Sequence, residues 1–321
     1  MHIIDPPRGL PVRRLGLRGL RKCGAVVLAS GVLAVASPVV TPAAAATAPS
    51  VTAKGAFLYD VTAKKNLWGK AADTKRPMAS TTKVMTATVV MGTSNLNLDK
   101  LVTIKQAYRD YVTAQGASTA DLKTGDKVTV RQLLYAMMLP SGCDAAMALA
   151  DTYGTGTTTA ARTKSFIAKM NAKATSLGMT NTKYDSFDGL TTAGNTYTTP
   201  RDAAKLAAKA LTYSTLRTVV KAKSTVQTAT NGRTYTWYNT NKLLGSYVGA
   251  IGIKTGTTTP AGPCLIFAAT RNGRTVAGVV LNSSTLDTRF TDAAKMLDYA
   301  FDTNIASTMR LRTLPDGAQR D

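Results

Sequence analysis

The chain has 321 residues, of which 40 are Lys or Arg and 18 are acidic, so its formal net charge at neutral pH is +22. Its single histidine is His2, and every acidic residue is an aspartate. Because His2 lies at the extreme N-terminus, a Ser-His-Asp triad, a Cys-His pair and a histidine-ligated metal site are excluded for the rest of the chain. A hydrolase with a nucleophile must here take its base from lysine, aspartate, tyrosine or a terminal amine.

The first 46 residues have the order of a secretory signal peptide. Basic residues precede an apolar run from Cys23 to about Val40, and the small-residue string Ala43–Ala46 follows. We expect cleavage near Ala46 and a secreted protein, extracellular, in the cell wall or at the outer surface of the membrane. A retained membrane anchor is the alternative, because the apolar run approaches the length of a span. Residues 47–52 are predicted to be a disordered N-terminal segment.

The chain stays strongly basic without its first segment. Residues 1–46 hold six basic residues and one acid, so the remainder carries a net charge of +17. These charges are spread along the chain and not clustered, and an exported protein rarely meets nucleic acid. The charge therefore predicts an anionic cell envelope as the partner, and no nucleic acid.

The patterns in the remaining chain predict one domain, 53–301, and a short C-terminal tail, 302–321. Strand patterns occupy a hairpin at 55–71 that turns at Lys64-Lys65, and then 101–104, 247–256, 264–273 and 274–282. Helix patterns occupy 80–91, 129–139, 141–154, 161–178, 198–211 and 288–301. Since the helices come mostly in one block, the fold class is α/β of the α+β type: a mostly antiparallel sheet flanked by helices, plus an all-helical region.

Ser80 and Lys83 are three residues apart in the helix pattern "MASTTKVMTA", so their side chains are expected to be neighbours on one face. A plainer interpretation is that Ser80 caps the helix and Lys83 extends to water. Two further motifs follow: Ser141-Gly-Cys143 directly after the helix-breaking Pro140, and Lys254-Thr-Gly256 at the end of a strand pattern.

Together, in a chain without a usable histidine, the three motifs resemble the S-x-x-K, S-x-N and K-T-G signature of the penicillin-recognising serine enzymes. The resemblance runs from about residue 55 to residue 301, and it includes "FDGL" at 187–190 and "TPRDAAKLA" at 199–207. These stretches look like the low-molecular-mass D-alanyl-D-alanine carboxypeptidases. They look most like the single-domain actinobacterial DD-transpeptidase type, which shares the S-G-C second motif. The resemblance therefore implies a serine β-lactamase/DD-peptidase-like fold.

The resemblance also implies a role for each motif residue. Ser80 would be the nucleophile, Lys83 its general base and Ser141 the relay that passes a proton to the leaving amine. Substrate binding would fall to Lys254, Thr255, Gly256, Thr257 and Cys143, with the backbone N–H groups of Ser80 and Thr257 as the oxyanion hole. The chemistry agrees, since a lysine acts as a base only in its neutral form, which burial and a second nearby cation both favour.

Cys143 stands where most relatives have asparagine, and a thiol is a weak hydrogen-bonding group. Apart from Cys23 in the signal segment, the only other cysteine is Cys264, next to the K-T-G strand. In an oxidising compartment the two could form a disulfide or stay as free thiols, and the sequence leaves both options open.

The predicted function is that of a secreted, penicillin-sensitive serine DD-peptidase, a carboxypeptidase or transpeptidase that acts on peptidoglycan stem peptides ending in D-Ala-D-Ala. We expect β-lactams as covalent inhibitors, no metal or other cofactor, and a monomer. One alternative is a serine β-lactamase, although the glutamate that activates the deacylating water in class A enzymes has no counterpart in this chain. The other is a catalytically inactive, basic cell-wall-binding protein.

Overall fold

The computed structural model of the protein describes residues 47–191 and 194–319, so the predicted signal peptide lies outside the described residues. In these ranges the strands are Gly55–Asp60 (β1), Lys65–Lys70 (β2), Leu101–Thr103 (β3), Lys127–Thr129 (β4), Ser224–Thr228 (β5), Thr234–Tyr238 (β6), Ala250–Thr258 (β7), Gly262–Arg271 (β8) and Arg274–Leu281 (β9). The helices are Lys83–Met91 (α1), Gln106–Gln115 (α2), Val130–Met138 (α3), Cys143–Tyr153 (α4), Thr159–Ser176 (α5), Pro200–Ala210 (α6), Ser214–Lys221 (α7) and Thr288–Phe301 (α8).

Five strands form one antiparallel sheet in the order β2-β1-β9-β8-β7. The strands β3 and β4 pair with each other, as do β5 and β6, in two small antiparallel sheets. The predicted fold class, an antiparallel sheet with flanking helices and a helical region, is confirmed. The strand that carries the K-T-G motif, β7, is at the end of the strand order and packs against α7.

The two faces of the sheet contact two separate hydrophobic cores, as alternation along β8 shows. Ile266 and Ala268 pack into the core that contains α1 and α6, whereas Leu265 and Phe267 pack into the core that contains α8. Because successive side chains of a strand point to opposite faces, one apolar run supplies both cores. The sheet is therefore fixed between helices on either side.

Two helix starts follow the signals in the sequence. Thr129 accepts a hydrogen bond from the backbone N–H of Gln132 at 3.1 Å, which caps α3. Thr199 accepts one from the N–H of Asp202 at 3.2 Å, with Pro200 as the first residue of α6. Both helices fall within predicted helix patterns, 129–139 and 198–211. Five elements were not predicted, namely α2, α7, β4, β5 and β6. Two of them bury very little, since α2 buries only Tyr108 and β5 has no buried residue.

The expectation of a disordered segment at 47–52 is wrong for its last residues. Thr52 donates from its backbone N–H and from its hydroxyl to the carboxylate of Asp292, at 2.8 Å in each case. Val51 is buried, and its carbonyl accepts a hydrogen bond from Lys70 at 2.9 Å. This short run has polar anchors in α8 and β2, and composition alone does not reveal them.

The C-terminal tail also packs on the domain. Arg312 donates to the carbonyl of Asn239 at 2.6 Å and to that of Leu244 at 3.0 Å, and Leu314 is buried. The tail therefore lies against the loop that leads into β7. None of the helices in the described residues has the length and apolar character needed to cross a membrane.

Candidate active site

Ser80 lies in a short 3-10 turn, Ala79–Thr82, and not in the regular helix predicted from residue 80. The α-helix begins one turn later, with Lys83 as the first residue of α1. Lys83 is fully buried, and its Nζ donates to Ser80 Oγ at 2.9 Å. The predicted neighbourhood of the two side chains is confirmed, and the interpretation of Lys83 as an exposed lysine is wrong.

Three further groups surround the Lys83 amine. Its Nζ lies 3.2 Å from the carbonyl oxygen of Asp188, 3.4 Å from Ser141 Oγ and 3.3 Å from Cys143 Sγ. With Ser80 this gives four acceptors for the three N–H bonds of an ammonium. The hydroxyls of Ser80 and Ser141 can also donate, so either one can give a proton to Lys83 or accept one from it.

The "FDGL" segment forms one wall of this arrangement. The Asp188 carboxylate accepts hydrogen bonds from Ser186 Oγ at 2.6 Å and from the Tyr111 hydroxyl at 2.8 Å, which positions its carbonyl toward Lys83. Burial, together with the Asp188 charge, raises the pKa of Tyr111, so this hydroxyl remains a donor. Gly189 follows with a φ of +97°, a conformation that favours glycine. Sequence reasoning quoted this segment but gave it no role.

The second motif is held by a loop that sequence reasoning missed. Ser118 Oγ donates to the carbonyl of Ser141 at 2.6 Å, and the carbonyl of Ser118 accepts from the backbone N–H of Cys143 at 2.8 Å. The buried carboxylate of Asp144 accepts from the N–H groups of Ala120 at 2.9 Å and Leu122 at 3.0 Å. These bonds fix Ser141, whose φ is +68°, just before the N-terminus of α4. In the sequence, Asp144 directly after Cys143 was the one residue that could have indicated a partner loop for this motif.

The two cysteines in the described residues are both free and buried, so the disulfide option is wrong. Cys143 Sγ lies 3.6 Å from Ser118 Oγ, on the helical side of the site, as well as near Lys83. Cys264 Sγ instead contacts the backbone carbonyls of Ala261 and Gly262, each at 3.6 Å. Burial raises the pKa of each thiol to about 11. The two thiols have different neighbours. Although Cys264 lies on the strand next to the K-T-G strand, its side chain does not contact Cys143.

The third motif closes the site from the sheet side. A Cβ on Gly256 would lie 2.8 Å from the backbone nitrogens of both Ser80 and Thr81, so only glycine lets β7 approach the 3-10 turn this closely. The buried Lys254 donates from Nζ to the carbonyl of Thr255 at 3.0 Å. The Thr255 hydroxyl shares a 2.6 Å hydrogen bond with the hydroxyl of Thr240. The three motifs are thus brought together, as predicted.

Arg289 is a second residue that the sequence did not reveal. It lies in α8, is 4% exposed, and donates from Nη1 to Thr257 Oγ1 at 3.0 Å and toward the carbonyl of Gly256 at 3.5 Å. A fixed guanidinium at the end of the K-T-G strand is suited to a carboxylate ligand. Arg289 follows its partner Thr257 by 32 residues along the chain, and no local pattern links the two. Within residues 47–191 and 194–319, no group of three or more His, Cys, Asp or Glu side chains is placed to hold a metal ion.

A serine hydroxyl beside a buried lysine, between a helical region and an antiparallel sheet, defines a serine peptidase that uses lysine where other serine peptidases use histidine. The chain matches the family described as D-alanyl-D-alanine carboxypeptidase over residues 42–285, and it belongs to that family.

Individual relatives agree with this assignment. The chain is 54% identical to the D-alanyl-D-alanine carboxypeptidase of Streptomyces sp. strain K15 over 288 residues, 88% of this chain and 99% of that protein. It is 36% identical to the D-alanyl-D-alanine carboxypeptidase DacC of Escherichia coli, over 79% of this chain and 62% of that protein. The crystal structure of the Streptomyces K15 DD-transpeptidase matches with a TM-score of 0.77 and 55% identity, covering 80% of this chain and 99% of that chain. The family resemblance inferred from the motifs is confirmed.

Proposed function

We propose that the protein is an exported serine DD-peptidase that cleaves the terminal D-Ala-D-Ala bond of peptidoglycan stem peptides through an acyl-enzyme on Ser80. The observation that carries the proposal is the 2.9 Å contact between Ser80 Oγ and the Nζ of a fully buried lysine, Lys83. A serine hydroxyl becomes a useful nucleophile when a base beside it takes its proton.

In the proposed acylation, neutral Lys83 accepts the Ser80 proton while Oγ attacks the carbonyl carbon of the penultimate D-Ala. The oxyanion accepts hydrogen bonds from the backbone N–H groups of Ser80 and Thr257, each worth about 2.7–4 kcal/mol in such sites. Ser141, 3.4 Å from Lys83, passes the proton to the leaving amine, and the C–N bond breaks to release D-Ala. Water or an amine acceptor then attacks the ester and restores Ser80.

The terminal carboxylate of the substrate would lie at the end of the K-T-G strand. The Thr255 and Thr257 hydroxyls can donate to it, and the Lys254 and Arg289 cations provide the complementary charge. The side chain of Cys143 would border the acyl-side amide. A β-lactam presents an equivalent carboxylate and a reactive amide, so we propose covalent inhibition by penicillins at the same serine.

Two observations support this reading over its alternatives. A class A β-lactamase deacylates with a glutamate-activated water, and this chain has no glutamate. An inactive wall-binding protein would be expected to lose part of the site, yet Ser80, Lys83, Ser141 and Cys143 converge within hydrogen-bond range. The signal-like first 46 residues and the basic remainder support export and an anionic envelope.

A fluorescent penicillin tests the proposal with the secreted protein and its Ser80→Ala variant. We expect covalent labelling that survives denaturation, slow release of the label, and liberation of D-Ala from a diacyl-lysyl-D-Ala-D-Ala peptide. The Ser80→Ala variant should keep its thermal stability and lose both activities. Labelling that persists in the variant would refute the nucleophile, and rapid turnover of a chromogenic β-lactam would favour the β-lactamase.

A further inference from the structure

A groove of about 710 Å³ adjoins the K-T-G strand, and Arg289 is the one residue of its lining that was given a part in substrate binding above. Its lining includes Thr240, which shares a hydrogen bond with Thr255, and Arg289, which donates to Thr257. The C-terminal tail contributes the lining residues 311–314. The groove therefore begins at the residues that contact the third motif.

The charged groups of this groove favour an anion. Its lining contains the cations Lys242, Arg289 and Arg312 and one carboxylate, Asp287. Lys242 Nζ lies 2.8 Å from Asp287 Oδ1, and both side chains are accessible to solvent. Three cations against one carboxylate leave the lining with a net charge of +2, which attracts carboxylate groups.

We propose that this groove is the acceptor subsite, which binds the free carboxylate of a short peptide amine that attacks the acyl-enzyme. The inference rests on the proposed function, because it requires an acyl group on Ser80. In this step the acceptor nitrogen forms an amide bond with the acyl carbon, and the bond from that carbon to Ser80 Oγ breaks. The proton lost by the amine returns to Oγ by way of Lys83, so the enzyme is restored and the amine is the only co-reactant.

The location follows from reversibility. Transfer to an amine is the reverse of expulsion of D-Ala, so the acceptor nitrogen must occupy the position that the leaving nitrogen has just vacated. The first residue of the acceptor then lies where the terminal D-Ala lay, beside Thr255 and Thr257. A second residue extends the chain by about 3.3–3.6 Å, past Arg289 and into the groove. A dipeptide with a free carboxylate should thus be a better acceptor than its C-terminal amide.

The test measures the ratio of transfer product to hydrolysis product from diacyl-lysyl-D-Ala-D-Ala, with L-alanyl-L-alanine or its C-terminal amide as the acceptor. Lys242→Ala removes a cation and leaves Asp287 unopposed, so transfer to the free dipeptide should fall by about two- to fivefold, the size of one exposed ion pair. Asp287→Asn should raise the same ratio by a similar factor. This aspartate makes no side-chain capping bond to α8, so the change removes charge without a lost cap.

Lys65→Ala is the matched control, because it removes the same charge from an exposed position on β2, at the opposite end of the strand order. We expect this variant to keep the parent ratio, and all variants to be labelled by penicillin at the parent rate. Support requires opposite changes for Lys242→Ala and Asp287→Asn with the dipeptide, and no change with the amide.

Parent-like ratios in both groove variants, with normal labelling and D-Ala release, would overturn the acceptor subsite and leave the proposed function standing. Equal effects on the dipeptide and its amide would also overturn it, because the carboxylate would then not be the group recognised. If the parent protein is not labelled and releases no D-Ala, the proposed function fails, and the subsite fails with it.

Discussion

Gly189 and Ala79 are in such close contact that a Cβ on Gly189 would lie 1.9 Å from the carbonyl oxygen of Ala79. Ala79 begins the turn that carries Ser80, and Gly189 directly follows the residue whose carbonyl faces Lys83. This contact joins the "FDGL" segment to the nucleophile, so the position of one limits the position of the other.

Replacement of Gly189 by alanine should therefore impair both folding and acylation. The substitution adds a backbone clash to a positive φ, and strain of this kind costs about 1–3 kcal/mol before the clash is counted. We expect a lower melting temperature and at least tenfold slower penicillin labelling at a temperature where the variant is folded. Gly194→Ala is a suitable control: its φ is also positive, at +67°, but no atom lies within 4 Å of the added Cβ. Wild-type labelling by Gly189→Ala would show that the contact does not position Ser80.

Lys83→Arg should be nearly as damaging as Lys83→Ala. A guanidinium stays protonated near neutral pH and cannot accept the Ser80 proton. The rate of acylation should therefore fall by about 10²–10⁴-fold, which is the typical contribution of a general base. The rate of labelling by a fluorescent penicillin measures the loss. Lys254→Arg should be milder, because pairing with a carboxylate survives that change. If Lys83→Arg retains a tenth of the parent labelling rate, Lys83 is not the general base.

The two thiols should react slowly in the folded protein. Because burial raises the pKa of Cys143 to about 11, its thiol is protonated at neutral pH, and alkylation by iodoacetamide should accelerate about tenfold for each pH unit above neutrality. Penicillin on Ser80 should slow this reaction further, since Cys143 borders the same lysine. Mass spectrometry of the denatured, unreduced protein should show alkylation of both Cys143 and Cys264. Resistance to alkylation under those conditions would indicate a bridge after all.

Asp151 should contribute to stability in a way that depends on pH. Burial alone would raise its pKa, but hydrogen bonds from Arg162 and Lys105 outweigh this and lower it to about 2. An unfolded aspartate titrates near 3.9, so the contribution is fully present above about pH 4 and is lost as the pH falls through about 2. Since Lys105 is 46% exposed and water screens it, we expect a contribution of about 1–2 kcal/mol.

Asp151→Asn should accordingly lower the free energy of unfolding at pH 7, and the difference from the parent should shrink below pH 4. Urea denaturation at several pH values measures it. Asp99→Asn is the control, because Asp99 is 77% exposed and its contact with Arg131 is long, at 3.5 Å. A difference that stays constant down to pH 2 would mean that packing, and not charge, accounts for the effect of the substitution.

The parts of the site that the sequence predicted are those set by local geometry. Ser80 and Lys83 are three residues apart on adjoining turns, so the contact between their side chains is a local one. The 3-10 turn before α1 was missed because a helical spacing of three fits either helix type. That the three motifs lie together in space was predicted from the family resemblance and not from local geometry.

The rest depends on contacts between distant parts of the chain. Ser118 reaches Ser141 from a loop 23 residues earlier, and Arg289 reaches Thr257 from another element. Whether Cys143 meets Cys264 depends on the side of the cleft each thiol occupies, which spacing does not determine. Propensity and periodicity describe neighbours along the chain, so they predicted the elements well and these partners not at all.

The strand order β2-β1-β9-β8-β7 gives the sheet two unlike borders. At the border opposite the nucleophile, β2 presents the exposed lysines Lys65 and Lys70, and its pairing with β1 is interrupted between Leu58 and Tyr59. Charge and irregular pairing on an outer strand both discourage another chain from adding there. If many copies crowd together at an anionic surface, molecules of this protein should therefore repel each other along that border and remain separate.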